Sequence, residues 1–320
     1  MDKHMHYDEA DLAGVQAFAP TMGGLREDEG IYAARELDYV KSRTYDKKMP
    51  PMKGLQLVPQ SSEVPEWAET YTYKVYDQVG MAKIIANYAD DLPRVDVYGQ
   101  EVTARIKDIG DSYGYNVGEL RASTAMRTSL PQRRAAAARR AIEVKQNQIA
   151  MVGDAQHKLY GLTNHPNIGM TTGLNGDWAN PATTADQILD DLNALYNAVR
   201  LQSKGVHTPN VLAIPSTQHA ALYSKRLSDS GGLTVGEFFV KQHPGLRIEE
   251  VPELSDAGTG GVSLAIMYER SEENLSMENP MPFNQLAAQA RNLELVVPCL
   301  ARTGGVAVYY PLALTKAEGI

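Results

Sequence analysis

The chain has 320 residues, a net charge of −8 and one cysteine, Cys299; at ~150 residues per domain that is length for about two domains and a full core. One cysteine excludes an intrachain disulfide framework and any thiolate zinc cluster, and its setting in LELVVPCLA reads as core. The acidic balance argues against a sequence-independent grip on nucleic acid. No apolar run reaches the ~18 residues of a membrane span, and the polar start MDKHMHYDEADLAG has no apolar signal core, so folding in a cytoplasm is expected.

Residues 1–50 show no sustained period and read as an extended arm with one short helix near DEGIYAARELDYVKSR; KKMPPMKG then breaks the chain. EWAETYTYKVYD puts Trp67, Tyr71, Tyr73 and Val75 on one face, and Thr70, Thr72 and Lys74 on the other. EVTARIKDI alternates Val102, Ala104 and Ile106 with Thr103, Arg105 and Lys107. Both have the period of two of half-buried strands. They bracket the irregular stretch QVGMAKIIANYADDLPRVDVYGQ, which predicts a protruding two-stranded ribbon. Tyrosine dominates the aromatics, 17 Tyr against 4 Phe and 2 Trp; a large face with a polar tip suits interfaces and half-buried strands alike.

Asn116 and Glu119 fit a capping box for a short helix. Ser129 and Gln132 repeat it before a long alanine-rich helix, with Pro131 tolerated in the first turn. From Leu130 to about Lys158 that helix would run ~43 Å, with Gly153 a point of interruption. At ~100° per residue Ala135, Ala138, Ile142 and Ile149 share one narrow stripe. Arg134 and Arg139 flank it, and Arg133 and Arg140 lie opposite. The basic residues surround the helix and form no single phosphate-facing row. Alanine in the stripe permits close approach to a sheet or another helix, so the helix is expected to be an internal girder.

The rest alternates α and β. Thr184 and Gln187 cap an amphipathic helix with the stripe Ile188, Leu192, Leu195 and Val199, and Gly205 stops it. Strand NVLAIP, a helix opened by Ser216, helix TVGEFFVKQ and strands LRIEEVPE and GVSLAIMYE follow. A closing pair of long strands, LELVVPCLAR and GVAVYYPLAL, is expected around the turn TGG.

Each motif that hints at chemistry has a plainer reading. SDSGG (228–232) looks like the nucleophile motif of chymotrypsin-like proteases, with Ser230 as nucleophile. Ser228 and Leu233 replace the usual glycine and proline, and the surroundings read as helix. A turn between two helices explains it better. His4 and His6 on a solvated arm have no second shell to fix a metal. GTGG (258–261) lacks the lysine and spacing of a phosphate loop. Asp90 and Asp91 before Pro93 read as a turn. No catalytic, cofactor or metal site is expected.

The order of arm, ribbon, long helix, α/β module and closing strands resembles the tailed-bacteriophage major capsid proteins with the Hong Kong 97-type fold. The runs ADDLPRVDV, YGYNVGEL, AAAARRAIEVKQNQIAMVGD, LYGLTNHPNI and ARTGGVAVYYPLAL look like the subgroup related to encapsulin shell proteins, from about Trp67 onward. The resemblance implies an α+β fold with an N-terminal arm at 1–50, a connector at 51–61 and an extended loop at 62–112. It further implies a peripheral domain at 113–182 with its spine helix at 129–158, an axial domain at 183–285, and closing strands of the peripheral domain at 286–320. Pentamers and hexamers would form an icosahedral shell around double-stranded DNA held without sequence-specific binding. A portal protein, and a separate scaffolding or a decoration protein, are the implied partners besides the chain itself; no membrane is implied. Assembly contacts are expected at Trp67, Tyr71, Tyr73, Arg133 and Arg140. Lys74 and Lys83 lie where some relatives crosslink, and no crosslink is predicted. An encapsulin-like compartment shell is the alternative, and a serine hydrolase using Ser230 the second.

Overall fold

The computed structural model describes residues 51–79, 96–126, 130–228, 231–292 and 294–320. The chain divides after Pro50, and the architecture below is that of the unit Pro51–Ile320. The arm with its short helix, His4, His6, Lys83, Asp90, Asp91, the Ser129 cap and Ser230 lie outside the described residues.

A short helix, α1 (Gly54–Leu57), leads through β1 (Gln60–Ser61) to the ribbon strands β2 (Thr70–Val79) and β3 (Asp96–Arg105). They pair antiparallel, with Tyr71 opposite Ala104 and Tyr73 opposite Val102. Tyr71, Tyr73, Val75, Val102 and Ala104 are half-buried, and Thr72, Lys74, Thr103 and Arg105 exposed. This is the alternation that the period of two predicts. The predicted strand through EVTARIKDI breaks, however, at Ile106. That residue is buried and donates its N–H to the Glu69 carbonyl at 2.9 Å. β4 (Lys107–Asn116) then leaves the ribbon and pairs over its whole length with β12 (Glu294–Thr303).

Asn116 ends β4 and caps α2 (Val117–Met126). Its Oδ1 accepts the Gly118 N–H at 3.0 Å, and the Glu119 carboxylate accepts the Asn116 N–H at 3.3 Å. The box forms one residue tighter than its usual pattern.

The long helix, α3 (Leu130–Met151), has 22 residues, or ~33 Å. It stops at Met151 rather than near Lys158 because Gly153 turns left-handed, at φ 76°, and returns its N–H to the Ile149 carbonyl at 3.0 Å. Ala138 and Ile142 pack on Cys299 and Ala301 of β12, beside Ile109 and Tyr113 of β4. Ile149 enters the main core with Met151, Leu162, Ile266 and Tyr268, and Ala135 is half-buried. The helix is thus a girder laid on a sheet, with small residues at its closest approach.

Beyond the helix the chain folds back on its end. Leu162 and Thr163 donate their N–H groups to the carbonyls of Ala150 and Met151 at 3.0 and 2.9 Å, satisfying acceptors that a helix end leaves open. His165 is buried here against the Tyr160 ring, and its Nδ1 accepts the Asn167 N–H at 3.3 Å. Burial, with the nearby Lys316 ammonium adding to it, pulls the imidazole down from 6.5 to about 4. Between those two values the unfolded chain binds a proton that the folded chain refuses. Stability is therefore expected to fall as pH drops through this window, by up to about 3 kcal/mol from this residue. Urea unfolding of the unassembled protein at pH 7 and pH 4.5 should show a smaller acid loss in His165→Gln than in the parent. Equal losses would show that His165 is not the group responsible.

The second half supplies β5 (Gly169–Met170), α4 (Ala185–Gln202), β6 (Val211–Ile214), α5 (Ser216–Ser224), α6 (Val235–Gln242), β7 (Arg247–Glu250) and β8 (Leu264–Tyr268). β9 (Leu275–Glu278), β10 (Met281–Gln285), β11 (Gln289–Arg291), β13 (Val306–Val308) and β14 (Leu314–Glu318) complete it. Among the described residues, one sheet has the order β5-β14-β8-β6-β7 and another β1-β9-β13. In a third, β12 lies between β4 on one side and β10 and β11 on the other. Thr184 and Gln187 form the predicted capping box of α4, whose Ile188, Leu192 and Leu195 pack with Trp178, Leu212 and Phe239.

The expected closing hairpin is not present. β13 pairs with β9, not with β12. Pro311 then opens a 3-10 turn, Pro311–Ala313, because a proline removes a ladder donor. β14 passes into the five-stranded sheet between β5 and β8. Residues 314–318 therefore lie in a different sheet from β12. Around SDSGG, Arg226 bridges to Thr234 and closes the turn between α5 and α6.

Candidate assembly surfaces

The ribbon root is built from residues more than two hundred positions apart. The Tyr71 hydroxyl donates to the Gly304 carbonyl at 3.5 Å and that of Tyr73 to the Val308 carbonyl at 3.3 Å. The Tyr73 ring meets Tyr309 edge-on, with centroids 5.0 Å apart. The Tyr309 hydroxyl donates to Ser276 Oγ at 2.7 Å and Ser276 donates to the Glu278 carboxylate at 2.9 Å, with that carboxylate oxygen 3.3 Å from the Tyr309 hydroxyl. Glu278 is buried, and its second oxygen has no hydrogen-bond partner among the described residues. Burial pushes the Tyr309 hydroxyl up to about 12, and burial together with the Glu278 charge pushes Tyr71 further still. Both hydroxyls stay protonated and can act as donors throughout the physiological range.

The face carrying Tyr71 and Tyr73 is therefore covered by β9, β13 and the turn after β12 of the same chain. Trp67 stands outside this cover, 82% exposed. Its segment is clasped by Arg302, which pairs with Asp108 at 2.6 Å and donates to the Glu66 carbonyl.

Around α3 the arginines divide. Arg134 grips the Glu119 carboxylate with both guanidinium nitrogens at 2.9 and 3.1 Å, donates to the Gly114 carbonyl and lies 5.4 Å from the Tyr115 ring centre. This hydrogen bonding, with the Asn116 N–H second, holds the Glu119 carboxyl below its usual value. Arg139 pairs with Glu143 one turn on, at 2.9 Å. Arg133 is exposed and Arg140 half-buried.

Arg302, Glu278 and Tyr309 were not singled out by sequence reasoning, and Arg134 only as a flank of the α3 stripe. For Arg134 a signal existed, since Glu119 sits in a recognisable cap. For the others the partners are remote, and no local spacing marks them.

No group of three His, Cys, Asp or Glu side chains among the described residues is placed to hold a metal ion. No helix among them is long and apolar enough to cross a membrane.

Residues 80–320 match the family model described as major capsid protein. No curated protein sequence matches the chain. Among solved structures, the capsid of Myoviridae phage XM1 aligns with a TM-score of 0.79 at 18% identity, covering 91% of this chain and 100% of that one. The capsid of an empty GTA particle aligns at 0.63 and 12%, covering 92% and 99%. A virus-like particle from Pyrococcus furiosus aligns at 0.53 and 14%, covering 82% and 91%. The XM1 and GTA likenesses each cover more than nine tenths of this chain. With the family match spanning residues 80–320, the chain belongs to the major capsid protein family, and it is a shell-forming structural protein of α+β fold.

Proposed function

We propose that the chain forms the pentamers and hexamers of an icosahedral tailed-phage head and encloses double-stranded DNA without reading its sequence. The observation that carries this is the alignment of the XM1 capsid over the full length of that chain. In this reading residues 1–50 are an arm, 62–112 the extended loop, 113–182 a peripheral domain and 183–285 an axial domain. A portal protein is a partner, a scaffolding or decoration protein an optional one, and assembly takes place in the bacterial cytoplasm. The chain acts as a wall and has no catalytic activity. The likeness to the Pyrococcus particle supports the second reading, a compartment shell with protein cargo. Electron microscopy of purified particles tests both: closed shells filled with DNA support the first, protein-filled shells the second, and a permanent monomer or dimer neither.

Trp67, Arg133 and Arg140 serve in this proposal as contacts between copies, while Tyr71 and Tyr73 seat the ribbon that reaches them. Trp67→Ala is expected to change the stability of the unassembled protein by less than about 0.5 kcal/mol. It should weaken the shell by about 2 kcal/mol per contact, as for a buried aromatic anchor. Tyr73→Ala should instead cost the unassembled protein about 1–2 kcal/mol. Melting curves of free protein and shells separate the two effects. A shell indifferent to Trp67→Ala would remove Trp67 from the interface.

A further inference from the structure

We infer that an apolar patch at the end of α4 is a contact surface for a second copy of this chain, an inference that rests on the shell-forming reading above. Leu201 and Val206 are each 76% exposed, Leu312 52% and Tyr310 50%. Helix interiors and strand ends leave single apolar residues in water often enough; four from distant parts of one chain gathered together are a different matter.

The gathering is built, not incidental. Gln202 donates from its amide to the carbonyls of Leu312 and Leu314 at 2.8 and 3.1 Å, which ties the 3-10 turn Pro311–Ala313 to the last turn of α4. His207 lies 5.8 Å from the Tyr310 ring and is held by Glu269 at 2.7 Å, fixing the loop that carries Val206. Lys204, at φ 52°, turns the chain sharply between Leu201 and Val206. The four side chains thus have firm backbone beneath them, which lowers the entropy lost on docking.

Charge favours a second copy as the occupant. Exposed Arg200 and Lys204 border the patch, whereas the whole chain carries −8. An apolar centre with a cationic rim is complementary to the surface that this acidic chain mostly presents. In a closed ring of copies the contact is head-to-tail, so the patch needs no self-complementarity. The patch starts one residue beyond Tyr309, on which the ribbon's Tyr73 packs, and does not include Trp67.

Cys299 is buried, and a thiol introduced on the patch is therefore the one that a maleimide probe reads. Leu201→Cys is expected to react readily in the unassembled protein and at least about tenfold more slowly in shells. The double variant Leu201→Glu, Val206→Glu is expected to stay folded by circular dichroism and to need at least about tenfold more protein to assemble. A single negative charge at exposed Gln242, as Gln242→Glu, should leave assembly unchanged, whereas Leu201→Glu alone should already impair it. Equal labelling in free protein and shells, or unimpaired assembly of the double variant, overturns the patch while leaving the shell reading intact. Failure of the parent protein to form any shell overturns both. Protection that appears only after a different protein is added also overturns the inference.

Discussion

Gly161→Ala is expected to be the most damaging single-methyl change in the fold. A Cβ at this position would lie against the Ile149 carbonyl oxygen, 2.5 Å from the Gly153 nitrogen and 3.0 Å from the Met151 carbonyl carbon. All three are backbone atoms at the end of α3, so no side chain can rotate away. Either the loop lifts or the helix end unwinds. Lifting the loop breaks the hydrogen bonds from Leu162 to Ala150 and from Thr163 to Met151 and opens the core around the fully buried Leu162. A loss of at least about 3 kcal/mol is expected, at or above the usual range for overpacking. Urea unfolding of the unassembled protein measures it. A loss under 1 kcal/mol would mean that the loop is not seated on the helix end as described.

The second large effect is expected at Asp191, which is 2% exposed. Its carboxylate accepts the Trp178 indole N–H at 2.8 Å, the Asn175 backbone N–H at 3.0 Å and the Asn175 side-chain amide at 2.7 Å. Lys225 holds the other end of the same loop, donating to the carbonyls of Trp178, Asn180 and Thr183 at 2.7 to 2.8 Å. Asp191→Ala takes this acceptor from three donors, one on the fully buried Trp178 and two on Asn175 of the same loop. About 3–5 kcal/mol of stability should be lost, the range seen when one partner of a buried charged network is removed. Asp190→Ala, next door and exposed, should stay within about 0.5 kcal/mol. Similar losses for the two variants would show that the network has no special weight.

What could be read in the sequence was what depends on near neighbours. The ribbon's alternation, the Ala138 and Ile142 stripe and the capping boxes at Asn116 and Thr184 each rest on spacings of two to four residues, and each formed. The end of α3 was misjudged because the pattern through Lys158 remains polar and helical in composition. Gly153 permits the turn, but the returning loop fixes it. The break at Ile106 escaped because the period of two continues across it, while the pairing partner changes from β2 to β12. β9, β10 and β11 were missed since their residues follow no clean alternation. The seat of Tyr71 and Tyr73 was invisible for a related reason, because Gly304 and Val308 are remote in sequence. The α+β capsid fold itself was legible through the order of the elements and the resemblance of whole runs.

That remoteness sets a schedule for the chain as it is made. β12 is the strand between β4 and β10 in one sheet, and β14 the strand between β5 and β8 in another. Each is made after all the strands that it joins. Until residues 294–318 emerge, β4 is parted from β10 and β11, β5 is parted from β8, and the ribbon lacks the Gly304, Val308 and Tyr309 part of its seat. Long-range pairing of this kind is slow to form and exposes strand edges meanwhile. It also means that a polypeptide grown no further than β11 cannot present a fully seated ribbon to a neighbour, so β12 and β13 must be in place before a subunit is competent to join a growing lattice.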